Sequence, residues 1–311
     1  MAAAGFQLKK WLTLQRHRVC HGLIGHIPRR RLETFAFAMS KIQHLLSPTC
    51  RADGNIRAEI GRNVIGLPEK QAGRAKFAAQ LETLVDQRIY FGRYIRNGES
   101  WTDLDAIAES LADQVKALKR NEPSRPVFIS PFHYVSQYAN IYVVERIAAL
   151  LGLTSLSVVS GVPRDQYGDD HSLIPGISVL YTYGDANRVG LGVRLARRLK
   201  RDGVAVLFAD IPPFSMHSYP METIGVSLLG RNARVHRGIF RIGGQFNALM
   251  LPFYLRFEKG CFSARTFDLV ELASPTAPQQ LADCIQIALS ENYQQWTCAG
   301  HPSMYAFAPA R

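Results

Sequence analysis

Residues 127–140, VFISPFHYVSQYAN, join a short apolar run to an amphipathic segment, and a single histidine, His133, stands between them. A few β-rich apolar residues followed closely by a helical pattern make the opening of a β–α unit. The same grammar recurs downstream. LSVVSG, SVLYTYG, VAVLFAD, ALMLPFYLRF and FSARTFDLVEL are further short β-rich runs, alternating with helical segments such as GVRLARRLKRDG and RGIFRIGGQF; PQQLADCIQIALSENYQQW reads as the last helix. Alternation of this kind predicts an α/β fold, a mixed central sheet covered by helices.

Upstream the period is helical. PRRRLETFAFAMSKIQHLL opens on a helix-compatible proline and spaces Leu32, Phe35, Ala36, Met39, Ile42 and Leu46 near a 3.6 period. A second helical span runs through NIRAEIGRNVIGL, and a third, EKQAGRAKFAAQLETLVDQRIYFGRYI, follows Pro68 with apolar residues three and four apart. Residues 1–120 thus form a helical N-terminal layer on an α/β core at 121–311. The chain shows no repeat, no low-complexity tract and no strong linker, so 1–311 reads as one domain.

The chain has 37 Lys and Arg against 25 Asp and Glu, a formal charge of +12. That balance favours an acidic partner: nucleic acid, an anionic membrane surface or an acidic carrier protein. Residues 1–50 hold eight basic residues (Lys9, Lys10, Arg16, Arg18, Arg29, Arg30, Arg31, Lys41) and one acidic one, Glu33. Apolar Phe6, Leu8, Trp11, Leu12, Leu14, Leu23, Ile24 and Ile27 are interleaved with them. The mixture suits either a lipid interface or a solvated basic helix docked on the core. No run of about 18 apolar residues occurs, so membrane contact would be monotopic. The charged N-terminal stretch does not resemble a cleaved signal peptide, which places the chain in the cytoplasm. The five cysteines, Cys20, Cys50, Cys261, Cys284 and Cys298, are scattered and never at C-x-x-C spacing, so neither a disulfide framework nor a zinc site is expected.

Ligands of open α/β sheets gather beyond the C-terminal ends of strands. His133 follows the strand VFIS at such a place, where a neutral imidazole could take a proton from an attacking hydroxyl or amine, or be a structural histidine held by backbone groups. Asp210 closes the strand VAVLFAD in the same way. The cluster DDHS, with Asp169, Asp170 and His171, reads as a solvated turn rather than a metal site. The serine elbow G-x-S-x-G is absent, and so are the glycine-rich phosphate motifs. RLARRLKR, with Arg194, Arg197, Arg198, Lys200 and Arg201, is a solvated helix face or a binding surface for phosphates or an acidic carrier. Nucleic acid fits the charge, but no reader motif accompanies it.

The order of segments carries more than any single residue. IRAEIGRNVIGLPEK, PVFISPFHY, LARRLKRDGVAVLFADIPP and VSLLGRNARVHRGIFRIGGQFNALMLPFYLRFE succeed one another as in the bacterial lipid A biosynthesis (lauroyl/myristoyl) acyltransferases, lysophospholipid acyltransferase-like proteins, and the chain resembles that family over roughly residues 25 to 300. ENYQQW resembles the family's closing helix, although TCAGHPSMYAF replaces the basic stretch that normally follows. The resemblance implies transfer of a fatty acyl chain from an acyl thioester on acyl carrier protein to a glycolipid, lipid or natural-product acceptor, with His133 as general base and neither metal nor cofactor. It also implies a peripheral place on the cytoplasmic face of the inner membrane, with a lipid surface and acyl carrier protein as partners and no nucleic acid.

One position departs. The family carries Asp or Glu five residues past the histidine, where this chain has Tyr138. Three readings follow: Tyr138 orients the ring, another carboxylate (Asp210 or one of Asp165, Asp169 and Asp170) reaches it in space, or the chain is a silent relative that binds lipid or acyl carrier protein without turnover. Under the resemblance Arg164, Arg194 and Arg197 are candidates for holding anionic acceptor groups or the carrier, and Arg231 and Arg234 lie near the acyl pocket.

Overall fold

The computed structural model describes residues 22–95, 100–160, 176–181, 190–213, 222–298 and 305. Its N-terminal part is helical: α1 (Leu32–Leu46) after a 3-10 turn at Arg29–Arg31, α2 (Pro48–Asn63), α3 (Glu69–Arg74), α4 (Ala78–Ile95) and α5 (Thr102–Asn121). The α/β part follows as β1 (Val127–Pro131), α6 (Gln137–Leu150), β2 (Leu156–Ser160), β3 (Ile177–Tyr181), α7 (Leu191–Asp202), β4 (Val204–Leu207), β5 (Thr223–Leu228), β6 (Arg231–His236), α8 (Gly238–Gln245), β7 (Leu249–Glu258), β8 (Cys261–Thr266), β9 (Val270–Glu271) and α9 (Ala277–Asn292).

The main sheet runs β3-β2-β4-β1-β7-β8, with β9 also on β7. From β3 to β7 all neighbours are parallel; β8 and β9 are antiparallel to β7. This is the mixed, helix-covered sheet that the alternating runs predict. The central strands are apolar without alternation because both faces are covered, and all five residues of β1 are buried. Pro252 is tolerated inside β7 because it falls where β9's pairing, at 249–250, has ended and β8's, from Phe253, has not begun. The hairpin β5–β6 forms a separate two-stranded sheet.

Local signals set several boundaries. Ser47 caps α2, its hydroxyl accepting from the Cys50 amide at 3.3 Å with Pro48 in the first turn, so this helix starts seven residues ahead of the sequence reading at Asn55. The span after Pro68 is one helical stretch on paper, but a 3-10 turn at Ala75–Phe77 divides it into α3 and α4. Gly190 and Gly203 flank α7 at φ 76° and 68°, conformations that side chains resist.

The apolar stripe of α1 does not go wholly inward. Leu32, Ala36 and Ser40 are buried, whereas Phe35, Met39, Ile42 and Leu46 from the same stripe, with Phe37 and Leu45, are exposed. Past Leu32, small residues face the core here, and large apolar ones face out.

Candidate active site

β1 and β4 are adjacent and parallel, with Ile129 opposite Val206. His133 lies four residues past Ile129 and Asp210 four past Val206, so equal steps from a registered pair bring both side chains over the C-terminal edge of the sheet. They meet there. His133 Nδ1 is 2.7 Å from Asp210 Oδ1, and the His133 backbone N–H donates to Asp210 Oδ2 at 2.8 Å. Trp296 Nε1–H donates to the same Oδ2 at 3.0 Å, and the Tyr305 hydroxyl donates to the Asp210 carbonyl at 2.6 Å. A carboxylate already accepting two N–H groups is an acceptor toward Nδ1 as well, which assigns the imidazole hydrogen to Nδ1 and leaves Nε2 with its lone pair.

Asp210 is 1% exposed, and the His133 side chain 15%. The ring is braced by Phe208, with centroids 4.6 Å apart. The segment after α9 closes over its backbone: the Thr297 N–H and hydroxyl both donate to the His133 carbonyl, at 2.8 and 3.2 Å, and the Val135 N–H donates to the Gln295 carbonyl at 2.8 Å. Val135 has φ 62°, a left-handed conformation that a β-branched side chain rarely adopts, so the turn beside the histidine is strained and held by its neighbours. Among the described residues nothing hydrogen-bonds Nε2, and no serine or cysteine is placed on it as a nucleophile. Among the described residues, then, Nε2 has no group to deprotonate.

Cys298 is near enough to Asp210 to feel its charge, but burial first and that charge second push its thiol well above the usual range. It stays a thiol, unsuited to nucleophilic attack. Burial raises Tyr134 and Tyr305 in the same way, with Asp210 adding to it.

Two further carboxyls approach from α4, and the sequence reading passed over both. Glu82 and Asp86 stand one helical turn apart. Asp86 Oδ1 accepts from the Ser136 hydroxyl at 2.5 Å and the Tyr138 N–H at 3.1 Å. Desolvation by burial raises Asp86 to about 7 against the lowering effect of the Ser136 hydroxyl and the Gln137 backbone. Glu82 is also raised to about 7, by burial and then by Asp86, with the charges of Arg57 and His133 opposing. Its coupling to His133 puts it within electrostatic reach of the imidazole. A signal did exist: two like charges at i,i+4, an unfavourable pairing on a solvated helix, set among apolar Leu81, Leu84, Val85 and Ile89.

The other candidates divide. Tyr138 lies in the first turn of α6, its ring 5.5 Å from that of Tyr90, and the orienting partner on Nδ1 is Asp210 instead. Arg194 is half-buried and Arg197 exposed on α7. Arg231 and Arg234 are exposed on β6, and the Arg234 backbone N–H donates to the carbonyl of Tyr305, the residue holding Asp210 from below. Arg164 and the aspartates at 165, 169 and 170 lie outside the described residues. Among the described residues no three His, Cys, Asp or Glu side chains are grouped to hold a metal ion. A cavity of about 380 Å³ with Lys116, Lys119 and Arg120 in its wall opens beside Val204, at the opposite end of β4 from Asp210, and belongs to a different part of the sheet.

No model of a known protein family matches the chain, and no curated protein matches it.

Proposed function

We propose that the protein is an acyltransferase in which His133, held by Asp210, deprotonates an incoming acceptor so that it attacks an acyl thioester, the donor being acyl carrier protein. The observation that carries this reading is an acid–base pair with no nucleophile on it among the described residues: Nδ1 is tied to a buried carboxylate, and Nε2 is left for an incoming group. As the acceptor's O–H or N–H gives its proton to Nε2, its heteroatom bonds to the thioester carbon. The imidazolium gains a charge, which Asp210 balances at 2.7 Å. Collapse of the tetrahedral intermediate breaks the C–S bond, and the proton on Nε2 passes to the departing thiolate. A neutral residue at 138 argues for a silent relative only while Nδ1 lacks an acid; Asp210 removes that argument.

The setting proposed is a lipid surface. No described helix is long and apolar enough to cross a membrane. The outer face of α1 nevertheless offers Phe35, Phe37, Met39, Ile42, Leu45 and Leu46, beside Arg29–Arg31 and Lys41, a combination suited to peripheral binding of anionic lipid. By the resemblance, this would be the cytoplasmic face of an inner membrane.

The test is intact-mass analysis of acyl carrier protein loaded with short, medium and long saturated chains, incubated with membranes and the wild type or His133→Ala. Loss of one chain-length class with the wild type alone is expected. If the wild type unloads no donor that it binds, the reading fails. Sedimentation with anionic vesicles, reduced by Phe35→Ser together with Ile42→Ser, checks the surface.

A further inference from the structure

His133 hangs from a short connection between β1 and α6 that is unusually constrained. The Tyr134 N–H donates to the Phe132 carbonyl and the Ser136 N–H to the Tyr134 carbonyl, two narrow turns in succession, at 2.8 and 2.7 Å, with Val135 at φ 62° in the middle of the second. Ser136 is fully buried; its hydroxyl accepts from the Ala139 N–H at 2.9 Å, capping α6, and has one hydrogen of its own to give. That hydrogen goes to Asp86. The same carboxyl oxygen takes the Tyr138 N–H, and the Gln137 amide contributes as well. Asp86 is therefore the one described side chain outside the connection that grips both Ser136 and the first turn of α6.

We propose that Asp86 is a positioning residue for His133: from α4, it fixes the strained turn that aims the imidazole at Asp210, at the very backbone amide where the resemblance places a carboxylate side chain, residue 138. The acid at that point in the chain is thus replaced by two acids from elsewhere. Asp210 takes the ring, and Asp86 takes the backbone. The energetic logic is that a left-handed Val135 is strained, a conformation the turn sustains only while its flanking groups are anchored. For what the imidazole does, the proposal rests on the acyl-transfer reading; for where the imidazole stands, it does not.

The experiment reads those two separately. Histidine labelled with 15N is introduced into the full-length protein, and the tautomer of His133, assigned by loss of its signals in His133→Ala, is followed at about pH 8, where an ordinary imidazole is neutral. Wild type should show a single Nδ1–H tautomer. Asp86→Ala should give an averaged tautomer while the other eight histidines keep their signals, and should slow single-turnover unloading of the acyl carrier about 10²-fold, the cost of a misplaced catalytic group, with the KM for the carrier changed less than threefold. Asp86→Asn keeps an oxygen acceptor and should restore both readouts. An unchanged tautomer and rate in Asp86→Ala would overturn the proposal. Should that variant not fold, Ser136→Ala, which removes the gripped hydroxyl together with the α6 cap, is compared with Ser136→Thr, which keeps both: a tautomer shift in the first alone supports the role, and no shift in the first refutes it. A tautomer that responds as stated in a wild type that unloads no donor leaves Asp86 in its role and sinks acyl transfer instead.

Discussion

Asp210 and the Glu82–Asp86 pair are all carboxyls withdrawn from water beside one imidazole, yet they are provided for differently. On Asp210 converge the His133 N–H, the Trp296 indole and the His133 ring, with Tyr305 holding its backbone. Glu82 has no hydrogen-bond donor among the described residues and a second acid one turn away. Burial raises Glu82 and Asp86 alike, although Asp86 accepts from Ser136 and Tyr138, so what sets Asp210 apart is the imidazole placed on it. The first arrangement makes a counter-ion for an imidazolium. The second makes a pair that changes charge near neutrality.

The largest effect should come from the dyad. Asp210→Asn keeps the shape but turns an acceptor into a donor opposite Nδ1, forcing the wrong tautomer, and His133→Ala removes the base. Each should reduce acyl transfer on the order of 10²–10⁴-fold in single-turnover assays. An equal loss in Glu82→Gln would erase the distinction between the two sets of acids.

The second effect is on stability. Glu82 and Asp86 have folded values of about 7 against 4.5 and 3.8 as free side chains. The folded state therefore binds more protons than the unfolded one between about pH 4 and pH 7. The stability that protonation gives is fully present below the unfolded values and is lost as pH rises through about 7. The melting temperature should fall by several degrees across that interval, and Glu82→Gln combined with Asp86→Asn should flatten the fall. Differential scanning fluorimetry over pH measures it, and an unchanged slope would contradict the placement of these two acids.

A smaller change is expected from Trp296→Phe, which keeps most of the ring but withdraws one donor from Asp210. Loss of one hydrogen bond to a buried carboxylate, about 1–3 kcal/mol, should lower the rate roughly tenfold and shift the tautomer population of His133. The smallest belongs to Cys298→Ala. With its thiol held protonated, Cys298 carries no acyl group, so the rate should stay within a factor of about two or three; trapping of an acyl-enzyme on this residue would redraw the mechanism.

The sheet was legible in the sequence because parallel strands buried on both faces leave unbroken apolar runs, and PVFIS and VAVLFAD are such runs. His133 and Asp210 were legible for the same reason, each standing just past a strand. Their pairing stood only as one of three readings, since the sequence separation of 77 closes only through the β1–β4 adjacency, which no local pattern encodes. Glu82 and Asp86 escaped because a charged pair on a helix ordinarily faces solvent, and only the packing of α4 against the β1–α6 connection turns them inward. On α1 the 3.6 period marks a helix correctly but not its inner face, since Ala36 and Ser40 allow close approach while Phe35 and Ile42 point away.

The central claim is that the acid serving His133 comes from the end of β4 and not from position 138. Unloading of acyl carrier protein by Asp210→Asn and by Tyr138→Phe, compared side by side with wild type, tests it most directly. The account predicts that Asp210→Asn loses transfer while Tyr138→Phe retains it. Transfer that survives Asp210→Asn but disappears with Tyr138→Phe would contradict it.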